Sequence, residues 1–237
     1  MKEELEKLGF FIIADVISEQ EITEIIRIIS NTDTSSSIFR KSKDLFAIRQ
    51  FFKYVPDVAD VVMASKLKEI IRKTFGRDYF VVKSIYFDKP PSSNWFVSYH
   101  QDLTISVKER GSCPGFGPWT VKEDQFSVQP PLKILEDNIT VRIHLDHTSR
   151  DNGALKIIPG SHLKGVYRPE TIDWTIEREI DCEVPVGGAM IMKPLLLHSS
   201  GRTINNERRR VIHVEFSRRI LPEGLHWAEL VNRSPCS

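Results

Sequence analysis

Cysteine is scarce: Cys113, Cys182 and Cys236 are the only three in 237 residues, odd in number and widely spaced. They form no C-x-x-C pair, which argues against a disulfide framework and a cysteine-built zinc site and points to reduced thiols in a cytoplasmic protein. Net charge is almost missing too. Lys and Arg number 33 against 32 Asp and Glu, a formal +1, so the basic excess of a nucleic-acid binder is absent. No apolar run approaches the roughly 20 residues of a membrane span, so no membrane partner is expected. The opening Met1-Lys2-Glu3-Glu4-Leu5-Glu6 is acidic and lacks a signal-peptide core. Internal repeats and low-complexity tracts are absent. The remaining composition, 41% hydrophobic and 27% charged, is that of a globular chain. At this length it supports one domain with a substantial core.

Two textures follow each other along the chain. Phe10-Phe11-Ile12-Ile13 reads as a short strand. Ser18-Glu19-Gln20-Glu21 fits a capping box, and Ile22, Ile25, Ile26 and Ile29 then mark one face of an amphipathic helix. A serine/threonine-rich loop covers 30–37. A second helical stretch is expected from about Pro56 to Phe75, ended by Gly76. From residue 79 the pattern turns to strands: Phe80–Phe87, Trp95–Tyr99, Leu103–Val107, Asn138–Leu145, Leu155–Ile158, Ala189–Met192 and Val211–Phe216. Turn signals separate them, at Asp151-Asn152-Gly153, Pro159-Gly160-Ser161, Val186-Gly187-Gly188 and Ser200-Gly201. Many short strands with regular turns suggest a sandwich or barrel. The expected organisation is a single domain over 1–237. Its flank, 1–78, is mostly helical, and its β core, 79–220, carries a long irregular insertion at 108–137 that is a candidate lid.

Three pieces carry chemistry. In Tyr99-His100-Gln101-Asp102, His100 and Asp102 lie at i and i+2 and share a strand face. One more histidine would complete a 2-His-1-carboxylate triad, which binds Fe(II) with open positions. Alone, H-x-D reads more readily as a surface hydrogen-bonded pair. The second piece is an apolar run from Gly188 that ends at His198; in isolation a core histidine is again the plainer reading. The third is Arg208-Arg209-Arg210-Val211-Ile212-His213-Val214-Glu215-Phe216. Alternation puts Ile212, Val214 and Phe216 on one face and Arg209, Val211, His213 and Glu215 on the other. An inward arginine fork pairs bidentately with a carboxylate; a solvated charge run is the plainer reading, and a one-residue shift would substitute Arg208 or Arg210.

Together these pieces resemble the phytanoyl-CoA dioxygenase family. The resemblance rests on Asn94-Trp95-x-x-x-x-His100-Gln101-Asp102, on Asn152-Gly153, on Pro159-Gly160-Ser161-His162, and on His198 with Arg209 eleven residues on. It runs from about residue 8 to 220. It implies a double-stranded β-helix, a jelly roll, flanked by helices. It also implies a dioxygenase that uses Fe(II), 2-oxoglutarate and O2 to hydroxylate or otherwise oxidise an unactivated C–H bond of a small-molecule substrate, releasing succinate and CO2. The implied iron ligands are His100, Asp102 and His198. The implied 2-oxoglutarate contacts are Arg209 and Ser200. More loosely, Arg142 stands where some members have a tryptophan beside the cosubstrate, Arg49 matches an upstream basic contact, and Ile85 an apolar neighbour. With Asp102 present, no coordination position is vacated for a halide. Desaturation and ring formation stay open.

His144-Leu145-Asp146 is a second H-x-D and a rival metal pair. The His100-Gln101-Asp102 context is preferred because it carries the resemblance. Two rival functions fit the pieces less well. A jelly-roll binding protein has no need of all four site residues. A zinc-dependent hydrolase or isomerase leaves Arg209 and Ser200 unexplained. Substrate identity and oligomeric state are not legible; 103–137, Arg142 and His144 are the candidate substrate-pocket residues.

Overall fold

The computed structural model describes residues 1–32, 39–41, 46–91, 93, 95–122 and 125–231. Asn94, Cys236 and residues 33–37 of the serine/threonine-rich loop lie outside the described residues.

The chain opens with α1 (Lys2–Leu8), β1 (Phe10–Ile13) and α2 (Glu19–Asn31). The α2 capping box forms: the Ser18 hydroxyl accepts from the Glu21 N–H at 3.3 Å, and the Glu21 carboxylate accepts from the Ser18 N–H at 2.7 Å. Next come β2 (Phe39–Lys41), β3 (Phe46–Arg49), α3 (Phe51–Tyr54), α4 (Pro56–Ala64) and α5 (Lys66–Phe75). The one helix expected over 56–75 is therefore two. Ser65 divides it, with an extended backbone (φ −69°, ψ 178°) and a hydroxyl that caps Leu67 N. The flank is also less helical than its apolar spacing suggests, because β1, β2 and β3 all join the main sheet.

The remaining elements are β4 (Phe80–Lys89), β5 (Val97–His100), β6 (Ile105–Val107), β7 (Trp119–Lys122), β8 (Gln125–Val128), α6 (Leu132–Asp137), β9 (Ile139–His144), β10 (Leu155–Ile157), β11 (Ile180–Cys182), β12 (Ala189–Met192), β13 (His198–Ser200) and β14 (Arg209–Ser217). Seven strands form one antiparallel sheet in the order β1-β12-β9-β14-β4-β3-β2, and four form a second, β11-β10-β13-β5. This is a jelly roll.

Alternation on the central strands decides what each face does. Val141, Ile143, Ile212, Val214 and Phe216 point outward into one core with Ile25 of α2, Val58 and Val62 of α4, and Leu67 and Ile71 of α5. Each such side chain contributes about 1.5–3 kcal/mol by burial. The intervening residues point inward, toward the second sheet. Segment 108–137, expected to be irregular, is largely regular. It supplies β7, β8 and α6, and with β6 it makes a third sheet, β6-β8-β7. That sheet has its own core, where Ile105, Val107, Val128 and Leu135 pack with Leu221, Leu225 and Trp227. Behind it the C-terminal segment works as a strap. Trp227 bridges to Val107, Val231 bridges to Val81, and between them Glu229 accepts from the Ser84 N–H at 2.8 Å and from the Ser84 hydroxyl at 2.5 Å.

Candidate functional site

The site is built across the strand pair β5–β13, where His198 and His100 are direct register partners. Their rings lie 4.2 Å apart, centroid to centroid. Each ring is aimed by its own backbone: His100 Nδ1 bonds to Ser98 O at 2.9 Å, and His198 Nδ1 to Leu196 O at 2.8 Å. A carbonyl accepts only, so Nδ1 carries the proton and Nε2 keeps its lone pair for a metal. Asp102 follows β5, with Oδ2 4.0 Å from His198 Nε2. One ligand atom from each of His100, Asp102 and His198 lies within 4.8 Å of the others. Burial lowers His198 to about 4, so its ring is neutral at neutral pH. Burial pushes Asp102 up, but His198, His213, Lys83 and His100 outweigh it and hold the carboxylate well below its usual range. Two imidazole nitrogens and an anionic carboxylate make a donor set that fits a divalent cation.

The surrounding motifs serve this geometry. Gln101 points away from its neighbours and clips two loops: its amide donates to Leu195 O at 2.5 Å and Gly165 O at 2.9 Å, and accepts from Tyr167 N at 2.8 Å. The Asp102 N–H donates to Pro194 O at 2.9 Å. Ser161 of the Pro-Gly-Ser-His turn accepts from Leu197 N at 2.8 Å, steadying the residue before His198. His162 turns the other way, to Glu6 O.

The three consecutive arginines separate cleanly. Arg208 pairs with Asp88, and Arg210 pairs with Asp146 at 2.6 and 2.9 Å. Arg209 alone faces inward, 4% exposed. Its Nη2 reaches the Ser200 hydroxyl at 3.5 Å, while Nε and Nη1 are buried with no hydrogen-bond partner. Burial, reinforced by Arg142, lowers this guanidinium to about 9. Unmade bonds on a buried cation are costly unless an anion completes them. The Asn-Gly turn closes the same corner: Gly153 O accepts from Ser200 Oγ at 3.0 Å, and the buried Lys89 ammonium donates to Gly201 O at 2.6 Å.

The rival H-x-D does not assemble. Asp146 is spent on Arg210, and His144 Nδ1 contacts the Thr148 hydroxyl at 2.6 Å. His144 stays buried on the inner face. Arg49, Ile85, His213 and Arg142 form one transverse row across β3, β4, β14 and β9. Three further inner residues, Lys83, Glu215 and His213, carry no motif that marks them for the site. Lys83 meets Glu215 at 2.6 Å, Glu215 meets His213 Nε2 at 3.2 Å, and Arg142 Nη1 meets His213 Nδ1 at 3.2 Å. Glu215 and His213 also lie within 4.8 Å of Asp102. Alternation along β14 puts His213 and Glu215 on this face, but nothing in the sequence links Glu215 to Lys83, 132 residues away.

The family model described as phytanoyl-CoA dioxygenase matches residues 5–211. No curated protein matches. Solved structures share the fold. The non-heme alpha-ketoglutarate-dependent carbocyclase SnoK from nogalamycin biosynthesis is 16% identical with a TM-score of 0.66, over 91% of this chain and 82% of its own. EctD from S. alaskensis, with 2-oxoglutarate and 5-hydroxyectoine, is 16% identical with a TM-score of 0.68, over 91% and 74%. EvdO2 from Micromonospora carbonacea var. aurantiaca, complexed with 2-oxoglutarate, is 17% identical with a TM-score of 0.67, over 98% and 94%.

Proposed function

Since the chain belongs to the phytanoyl-CoA dioxygenase family, we propose that it is a non-heme Fe(II)- and 2-oxoglutarate-dependent oxygenase that oxidises a C–H bond of a small molecule. His100, Asp102 and His198 hold the iron, and Arg209 with Ser200 receives the far carboxylate of 2-oxoglutarate. Iron, when bound, supplies O2 activation coupled to decarboxylation of 2-oxoglutarate to succinate and CO2. The chain's own residues orient and desolvate. Gln101 and Ser161 fix the two loops that carry the ligands. Arg49, Ile85 and Arg142 line the same wall, and the two facing sheets keep water from the reacting groups.

One observation carries this reading. A His/Asp/His donor set and a buried guanidinium with two unmade hydrogen bonds face one interior. Neither a pure binding protein nor a zinc hydrolase uses both. No helix among the described residues is long and apolar enough to cross a membrane. The test is an anaerobic titration with Fe(II) and 2-oxoglutarate. The weak visible charge-transfer band of the chelate is expected in the native protein and lost in Asp102→Ala. A native protein without the band, carrying zinc or no metal, would overturn the proposal.

A further inference from the structure

The inner face of β4 is not sealed. Lys83, Ile85 and Phe87 point inward and are half-buried, while Ser84, Tyr86 and Asp88 between them are buried. His100 and Asp102 are half-buried too, whereas His198 is buried. The corner at Arg209 and Ser200 is closed. The open side of the donor set therefore faces β4, and an ion pair stands there. Lys83 and Glu215 are register partners across β4 and β14. Lys83 Nζ donates to Glu215 Oε1 at 2.6 Å, and His213 Nε2 lies 3.2 Å from the same oxygen. Among the described residues no further group hydrogen-bonds to the ammonium or to Glu215 Oε2. The ammonium, its side chain 15% exposed, thus keeps two N–H donors, and Oε2 keeps its acceptor capacity. Glu215 lies six residues beyond Arg209 on β14, roughly 20 Å of strand at about 3.3 Å per residue. Its carboxylate is within 4.8 Å of the Asp102 carboxylate. The pair stands beside the metal ligands, on the side away from the cosubstrate corner.

Donor count decides what completes this pair. The incoming group must accept from Lys83 and donate to Glu215 at once, and a hydroxyl does both. A carboxylate would meet the ammonium but face Glu215; a second ammonium would meet Glu215 but face Lys83. Charge agrees. Lys83 and Glu215 cancel, and the other charges that act on Lys83, those of Asp102 and Arg49, are of opposite sign. Iron(II) and doubly charged 2-oxoglutarate cancel as well. A formal charge seated here would be desolvated without a match. We propose that Lys83 and Glu215 are the specificity-determining pair of the active site, and that they bind an uncharged substrate through a hydroxyl group, with the C–H bond to be oxidised a few bonds from it. This rests on the oxygenase reading above and adds the substrate class to it.

The test is optical titration of the full chain loaded anaerobically with Fe(II) and 2-oxoglutarate. The probes share one ring: cyclohexanol, cyclohexanone, cyclohexylammonium and cyclohexanecarboxylate. A probe seated beside the chelate shifts the charge-transfer band, and one that displaces 2-oxoglutarate bleaches it. Cyclohexanol should shift the band at a concentration at least tenfold lower than any of the other three. The ketone is included because it accepts but cannot donate, and a site built around a hydroxyl rejects such an analogue. Glu215→Gln leaves the ammonium unmatched and should turn the preference to cyclohexanecarboxylate. Lys83→Met combined with Glu215→Gln should still form the band and should take alcohol and ketone within about threefold of each other. Should neither variant fold, the ranking on the native chain still decides. The proposal is overturned if the native chain takes any other probe as readily as cyclohexanol, or takes none of the four. It is equally overturned if both variants keep the native ranking, as they would were the pair only structural. In those cases the band itself is present and the oxygenase reading stands. If the native protein shows no band, both fall together.

Discussion

Arg208, Arg209 and Arg210 share a side chain and differ only in where the strand turns them. Two are held by carboxylates at the sheet surface; the middle one is buried facing Ser200. Arg209→Met should therefore weaken 2-oxoglutarate by thirtyfold or more, since losing one partner of a buried charge pair costs about 2–5 kcal/mol. Arg208→Ala and Arg210→Ala should leave that affinity within about twofold and instead lower stability by about 1–2 kcal/mol. Titration of the charge-transfer band and urea unfolding separate the two effects, and equal losses at all three positions would refute the assignment. Gln101 makes a contrasting case. Its three hydrogen bonds to Leu195, Gly165 and Tyr167 touch no ligand atom. Gln101→Ala should cost about 2–4 kcal/mol of stability. It should also loosen iron about tenfold, as the loss of a residue that orients metal ligands does. An iron titration unchanged by the variant would show that the clip is structural only.

The Asn152-Gly153 turn shows how an element far from the ligands shapes the site. Gly153 has φ +87°, and a Cβ there would lie 2.7 Å from Lys89 Nζ and 2.8 Å from Gly201 O. Gly201 itself has open space around the same position. Gly153→Ala should cost at least about 2 kcal/mol, from left-handed strain and crowding together, and should weaken 2-oxoglutarate. Gly201→Ala should be nearly neutral; thermal melts of the pair check the contrast. Legibility at this scale followed period and punctuation. The two-residue alternation of β9 and β14 is visible in the sequence and groups Arg209 with His213 and Glu215, but it leaves open a one-residue shift to Arg208 or Arg210, which the strand register decides. The Ser18 capping box is visible because it is local, joining residues three apart. The break at Ser65 is hidden because the apolar spacing continues through it, while a single serine in an extended conformation ends one helix and caps the next. The third sheet is hidden because its core is completed by Leu221, Leu225 and Trp227, about a hundred residues downstream. The Lys83–Glu215–His213–Arg142 chain escapes for the same reason: its members come from three strands that only the sheet order brings together.

The C-terminal strap ties the third sheet to the main one, and its anchor is a buried acid. Burial pushes Glu229 up to about 7, against the pull of its Ser84 hydrogen bonds and of Lys83, with Glu215 adding to the rise. An unfolded glutamate titrates near 4.3. Between those values the folded chain holds more protons than the unfolded one, so stability falls as pH rises through that window. The loss is on the order of 3–4 kcal/mol and complete above the folded value. Glu229→Gln should flatten that slope. Urea midpoints at pH 5 and pH 8 should differ more in the native chain than in the variant, and equal differences would remove Glu229 as the cause.

The pairing of His198 with His100 across two neighbouring strands has a thermodynamic corollary. A cation held by both rings cross-links β5 to β13, so peeling these strands apart and releasing the metal become one event. Their amide protons should then exchange with solvent more slowly as occupancy rises. Those of β6, β7 and β8, which lie in another sheet, should not respond. Hydrogen exchange in two short strands would thus serve as an occupancy gauge that needs neither colour nor turnover.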